Sequence, residues 1–310
     1  MNNILKLVIL IAPLLFIAQC ANLGFRGATS SGQGVVAKFL ENQPPRDVLY
    51  EGQNFRVGLE LTNYGLDPVN ALVCVYDTPS DYFGGISSNV CEQIDIKKAE
   101  KSENKIIPEI QNTFFPSESQ SYFYRQITKG MSTNILADVY YPYTTRASAQ
   151  ICLKKDTTIK TPGVNCQMSS SETLVQDPAP LTVSNLKKDV IPQGNNQILL
   201  LLTFNMQAFA GEIFDKDKIG IGTIKDEDKL VDVFVDLKGM PLIKKFECNP
   251  NKGGRIIFKE NQKVIKCQAL LNLDQDYIVN PVEIKVSYGH KIAVSTGQIP
   301  LVGEKEFIGE

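Results

Sequence analysis

Seven cysteines, a single histidine and three close acidic pairs are the side chains of this 310-residue chain whose types and spacing could do chemistry. Setting Cys20 aside, Cys74 and Cys91, Cys152 and Cys166, and Cys248 and Cys267 form local pairs 17, 14 and 19 residues apart. None has the short C-x2-4-C spacing of a structural zinc site, so oxidation to disulfides is the chemistry they suit. Spacing alone leaves the connectivity open, but neighbour pairing closes the shortest loops, and the expected bridges are Cys74–Cys91, Cys152–Cys166 and Cys248–Cys267. Each closure contributes on the order of 3 kcal/mol in the chain-entropy model. His290 sits in Tyr288-Gly289-His290-Lys291 and reads as a solvent-facing residue of a hairpin turn. With no second histidine and no Gly-x-Ser-x-Gly, nothing surrounds it with the parts of a nucleophilic triad.

The acidic pairs are Asp215 and Asp217, Asp226 and Asp228, and Asp274 and Asp276. Loop carboxylates of this kind are weak candidates for calcium, which takes six to eight oxygens. Lys216, Lys218, Lys225 and Lys229 interleave the first two pairs and cancel their field, and Asp215–Gly220 lacks the other ligands of an EF-hand loop. Solvated turns are the expectation, with no metal, cofactor or catalytic residue assigned and no enzymatic activity expected. A different signal comes from Phe114, Phe115, Tyr122, Phe123, Tyr124, Tyr140, Tyr141 and Tyr143, which crowd one stretch of the chain. Aromatics at neighbouring positions fall on both faces of a strand, so Tyr122, Tyr124, Tyr140 and Tyr141 are candidate contacts for a protein or glycan. Core filling in a chain without tryptophan is the competing reading.

The elements that must position these residues read as strands. Phe55, Val57, Leu59 and Leu61 alternate with mainly polar neighbours, the period-two pattern of a half-buried strand. Further candidates are Val35–Leu40, Ala71–Tyr76, Cys91–Ile96, Lys105–Ile110, Ser121–Thr128, Ile135–Tyr143 and Arg146–Leu153. After a Pro- and Ser-rich interval the pattern resumes with Gln197–Phe204, Leu230–Leu237, Gly254–Lys259, Lys263–Leu271, Val282–Tyr288 and Lys291–Thr296. Gln197–Phe204 is apolar on both faces, as a strand covered on both sides would be, and Met206–Phe214 is a candidate short helix. Strands about ten residues apart between turn signals predict a mainly β fold of two sandwiches in series. The expected domains are residues 35–153 and 181–302, joined by a hairpin loop and linker at 154–180 and followed by a tail at 303–310.

The N-terminal residues carry an address. Lys6 precedes the apolar run Leu7–Ala18, which is shorter than the ~20 residues of a membrane-spanning helix and has the flanks of a signal peptide. Ile17-Ala18-Gln19-Cys20 resembles a lipobox, whose cysteine is acylated and becomes the first residue of the mature chain. Gln19 departs from the usual small residue, which leaves plain secretion and an uncleaved N-terminal anchor as alternatives. Residues 1–20 are thus the signal segment, and the Gly- and Ser-rich residues 21–34 form a tether that reaches up to about 45 Å when extended. Charge is nearly balanced, with 32 basic and 34 acidic residues, which excludes a binder relying on a basic nucleic-acid surface.

The stretch Val48-Leu49-Tyr50-Glu51-Gly52, then Phe55 through Thr62 and Asn63-Tyr64-Gly65, resembles the Ig-like, CARDB-like or S-layer-associated modules of exported proteins from small-genome archaea. Pro44-Pro45 and Ser287-Tyr288-Gly289 extend the likeness, which covers residues 34–76 best and the mature chain loosely. It implies an Ig-like fold and a cell-surface location, and no activity. The functional expectation is a lipid-anchored, non-enzymatic cell-surface binding or adhesion protein. Its partners would be the membrane and a surface protein or glycan, with no nucleic acid. The alternative is a structural subunit of an envelope layer or filament that self-assembles, and an unrecognised extracytoplasmic enzyme is a third reading.

Overall fold

Strict alternation decides the architecture. From Thr133 to Leu153 every odd-numbered residue is buried, in a single 23-residue strand, Ser132–Lys154. A 26-residue strand, Tyr277–Val302, runs antiparallel to it from Lys154↔Tyr277 to Ser132↔Pro300, with one register shift between Ser295 and Gln298. At about 3.3 Å per residue the shorter of the two spans about 75 Å, several times an ordinary strand. Val69–Asp77 pairs with residues 135–140 of the first long strand and carries Val90–Ile96 on its far side. Beyond the midpoint, Leu230–Leu237 pairs with residues 282–287 of the second long strand, and Val175–Gln176 with residues 147–148 of the first. Among the described residues no strand pairs with residues 141–146 on that flank, and Pro142, which has no N–H to give a ladder, lies in this interval.

The computed structural model describes residues 33–303 except 80, 87–89, 103–104, 118, 157–165, 221–222, 241 and 250–254. The signal segment with Cys20, the tether before residue 33 and the tail from 304 lie outside the described residues. The fold is mainly β, with several antiparallel sheets, and among the described residues only short 3-10 turns interrupt it. None of the described helices is long and apolar enough to cross a membrane. A three-stranded sheet of Val35–Phe39, Val57–Asn63 and Glu109–Phe115 covers one end of the long-strand sheet, with Val35–Phe39 touching the second long strand. A five-stranded sheet of Ser169–Glu172, Leu181–Gly194, Gln197–Ala208, Gln262–Asn272 and Leu242–Asn249 covers the other end. Buried residues from both ends join one continuous hydrophobic cluster.

Several expectations change. The boundary at 154–180 does not separate two bodies, because both long strands serve both ends and residues 32–310 form one unit. Ser169-Ser170-Ser171 belongs to a strand paired with Lys187, Lys188 and Asp189 rather than to a linker. The candidate helix Met206–Phe214 is the end of the Gln197–Ala208 strand, a turn through Gly211 and a short strand Glu212–Phe214, because Met206 and Ala208 continue an inward alternation. Ser121–Thr128 forms only isolated bridges, Tyr122 to Phe55 and Tyr124 to Gly84. Gln197–Phe204 is covered on one face: Leu200, Leu202 and Phe204 are fully buried, whereas Leu199 and Leu201 are half-buried on the outer side. The three disulfides join Cys74–Cys91, Cys152–Cys166 and Cys248–Cys267. In the first and third, the cysteines face each other across adjacent strands.

Gly289 shows why a glycine sits in the middle of a strand. Phe214 lies opposite it in register, and a Cβ on Gly289 would meet the Phe214 ring at 2.7 Å. The ring covers the bare backbone and packs edge-on against Tyr140 at 6.3 Å. Gly289→Ala is therefore expected to cost about 1–3 kcal/mol in urea unfolding with disulfides intact. Adding Phe214→Leu should return part of that loss.

Candidate functional site

The polar groups of the molecule converge at the midpoint of the long strands, where the two covering sheets give way to irregular chain. Segments crossing the inner face here carry backbone groups with no ladder to join, and a buried N–H or C=O must find a partner. The sequence places hydroxyls and an imidazole at the inward positions of both strands. Val35 N–H donates to the Tyr141 hydroxyl at 3.0 Å, and the Tyr143 hydroxyl donates to the Pro178 carbonyl at 2.7 Å. Thr145 donates to the Leu181 carbonyl at 2.7 Å, so the Tyr288 hydroxyl, 3.0 Å away, donates to Thr145 and accepts from Leu181 N–H at 3.1 Å.

His290 completes the set. Its Nε2 lies 2.6 Å from the Ala210 carbonyl, which can only accept, so the proton of the neutral ring is on Nε2. Nδ1 then accepts from the Tyr141 hydroxyl at 2.8 Å. The rings pack edge-on, Tyr141 against His290 at 5.2 Å and against Tyr143 at 6.2 Å. Burial raises the Tyr141, Tyr143 and Tyr288 hydroxyls above the ordinary tyrosine range, which keeps them protonated as donors. Burial also lowers His290 to about 4, against a smaller opposing effect of its bond to Ala210.

The outer face at the same level holds a second cluster. Asp138 Oδ2 accepts from Lys291 at 2.9 Å, from Tyr140 at 3.1 Å and from Tyr76 at 3.4 Å. Lys291 also lies 5.3 Å over the Tyr140 ring. Burial opposes the Lys291 charge, but Asp138 and Tyr140 outweigh it and raise the lysine. The arrangement fixes an ammonium between a carboxylate and a ring. Beside the midpoint, Asp67, Tyr143, Thr144, Arg146 and Asp177 line an open crevice of about 210 Å³ that includes the solvent at its mouth.

These positions revise the sequence expectations. His290 is 2% exposed in mid-strand rather than in a solvent-facing turn, because Gly289 accommodates Phe214 instead of turning the chain. Tyr124 and Tyr141 are fully buried and cannot contact a partner. Tyr124 donates to Asp77 at 2.7 Å and meets Thr133 at 2.9 Å. Tyr122 is half-buried, and burial pushes its hydroxyl up to about 12; Tyr140 is half-buried over Asp138. Four of the six weak calcium candidates, Asp215, Asp217, Asp226 and Asp228, pair with bases. Arg255 bridges Asp215 at 3.1 Å, Asp217 at 2.9 Å and Asp232 at 3.2 Å. Asp226 pairs with Lys229, and Asp228 with Lys218. Asp274 and Asp276 are exposed in a turn, and no group of three or more metal-binding side chains occurs among the described residues.

Sequence reading overlooked Lys188. It is 1% exposed, with its ammonium donating to the Gln167 carbonyl at 2.9 Å and pairing with Glu172 at 3.3 Å. The available signal was phase: Leu186, Lys188 and Val190 share the inward face of one strand. Removing the ammonium leaves the Glu172 carboxylate with only its bond from Ser170 and empties a buried site, so Lys188→Ala should cost about 3 kcal/mol in denaturant unfolding. The double replacement Lys188→Met/Glu172→Gln should recover most of it.

His290 predicts a pH dependence of definite sign. The unfolded ring titrates near 6.5 and the folded ring near 4, so the unfolded state binds more protons between those values. Stability is full above about pH 6.5 and falls by about 3 kcal/mol as the pH drops to 4. The difference in unfolding free energy between the native chain and His290→Gln, followed across that window, should remove this part of the slope. No family model matches the chain, and no curated protein matches it. A solved structure, a DUF4466 family protein from Parabacteroides merdae, aligns at 8% identity over 84% of this chain and 99% of its own, with a TM-score of 0.14. At that score the likeness carries no argument about fold or function.

Proposed function

We propose that this protein is an exported, non-enzymatic binding or adhesion protein, held at the cell surface by a lipid on Cys20 and presenting two Ig-like β-sandwich lobes to a surface protein or glycan. The observation that carries the reading is the set of three disulfides. Such bridges form and persist in oxidising compartments, and a chain that keeps all six sulfurs paired is consistent with life outside the cytoplasm. The signal-like run before Cys20 supports export, and the odd cysteine is the one at the lipobox position.

The interior supports a scaffold role. Its histidine, tyrosines and buried lysine are engaged in holding chain segments to the sheets, as a rigid presenting body requires. The outer side of the five-stranded sheet supplies a contact surface, where Ile191, Leu199 and Leu270 stand in one cross-strand row. Ile191 is 42% exposed. One acyl chain gives marginal membrane binding, so the anchor needs a second chain or a second attachment.

Two measurements test this reading. Native material should show no free thiol at Cys74, Cys91, Cys152, Cys166, Cys248 or Cys267, and six reactive thiols would overturn export. The full chain should enter the detergent phase on phase separation, and Cys20→Ser should shift it to the aqueous phase. Unchanged partitioning would remove the lipid and leave secretion or an apolar anchor.

A further inference from the structure

Among the described residues no strand pairs with the outer edge of Glu109–Phe115, and this edge offers a site of self-association. Its backbone phase follows from the neighbouring strand. Gly58 donates to the Gln43 carbonyl at 3.0 Å and accepts from Leu40 N–H at 2.9 Å, so the even-numbered residues of Val57–Asn63 face the Val35–Phe39 side. The odd residues then bond to Glu109–Phe115, where Leu59↔Thr113 and Leu61↔Gln111 are the partners. Ile110, Asn112 and Phe114 must therefore point their N–H and C=O groups away from the sheet. The side-chain amide of Gln111 donates to the Asn112 carbonyl at 3.0 Å, capping one of those outward groups locally.

Other edges are blunted in ways this one is not. Val90–Ile96 carries Glu92 and Asp95, and Leu242–Asn249 carries Lys244, Lys245 and Glu247 with two register shifts. Ser169–Glu172 and Arg255–Ile257 are four and three residues long. Glu109–Phe115 has seven residues, an unbroken register, one charge at its end and Ile110 55% exposed. Edges of this kind recruit strands unless charge, bulges or brevity prevents it.

We propose that two copies of this chain join here, antiparallel about a two-fold axis midway between their Asn112 residues, to make one continuous sheet from the two three-stranded sheets. The sequence is self-complementary in that register. Asn112 faces Asn112 of the second copy as a hydrogen-bonded pair, its carbonyl accepting the partner's N–H in place of the Gln111 amide, and Ile110 faces Phe114, whose ring carries Arg56 at 5.1 Å. No charge opposes a like charge, since Glu109 meets Phe115. This assembly goes beyond the binding role and does not depend on the lipid.

Sedimentation velocity of the full chain in mild detergent should show a concentration-dependent monomer–dimer equilibrium. Hydrogen exchange at residues 110, 112 and 114 should slow as dimer accumulates. Asn112→Lys sets two ammonium groups against each other at the axis and should weaken association at least about tenfold, while Asn112→Ser should preserve it. Asn112→Pro removes an outward N–H at an edge position, where proline is tolerated, and should act like Asn112→Lys. An unchanged thermal melt of the monomer shows that each variant folds. A chain that stays monomeric at all concentrations, or a dimer indifferent to Asn112→Lys, overturns the proposal, and the second result assigns self-association to another surface such as the apolar N-terminal run.

Discussion

The need to satisfy buried backbone groups in the middle of a very long sheet governs this molecule. Two strands of more than twenty residues form one ladder, but the sheets that cover it do not meet over its centre. At that centre Val35 and Leu181, the first residues of two covering strands, and Pro178 and Ala210 beside them turn peptide groups inward, away from any ladder partner. Tyr141, Tyr143, Thr145, Tyr288 and His290 supply the missing partners from the inward positions of the long strands. A buried peptide group left unpaired costs about 1–3 kcal/mol, so this set decides whether the two ends form one body.

The same constraint explains which parts of the fold could be read from the chain. Strand content was legible because alternation is local: Val57–Asn63 and Leu230–Leu237 show their period without reference to anything distant. The long strands were not legible as wholes. The pattern of the first breaks at Thr144-Thr145 and that of the second at Gly289-His290, because residues resembling turn chemistry replace the apolar ones there. Those two apparent breaks sit almost side by side in the ladder, with Thr144 opposite Ser287 and His290 opposite Tyr141. The interruption in pattern was real, but it marks a polar junction rather than the end of an element.

Site residues divide along the same line. The cysteine pairs were legible because neighbour pairing needs only short range, and antiparallel neighbours bring such residues together. His290 and Tyr141 were misread because their roles depend on a contact 149 residues apart in sequence. Lysines interleave the first two acidic pairs in sequence, but the chief partner of Asp215 and Asp217, Arg255, lies well downstream. A buried lysine such as Lys188 was visible only by trusting the phase of its strand over its chemistry.

The shared ladder also has a mechanical meaning. Two modules joined by a flexible connector can swing, whereas these two ends are lengths of the same beam. Changing the angle between them would require breaking hydrogen bonds on both sides of Thr144 and Ser287 and pulling Tyr143 and Tyr288 from their partners. Whatever touches both ends meets a spacing already set, so no orientational freedom has to be frozen when it docks.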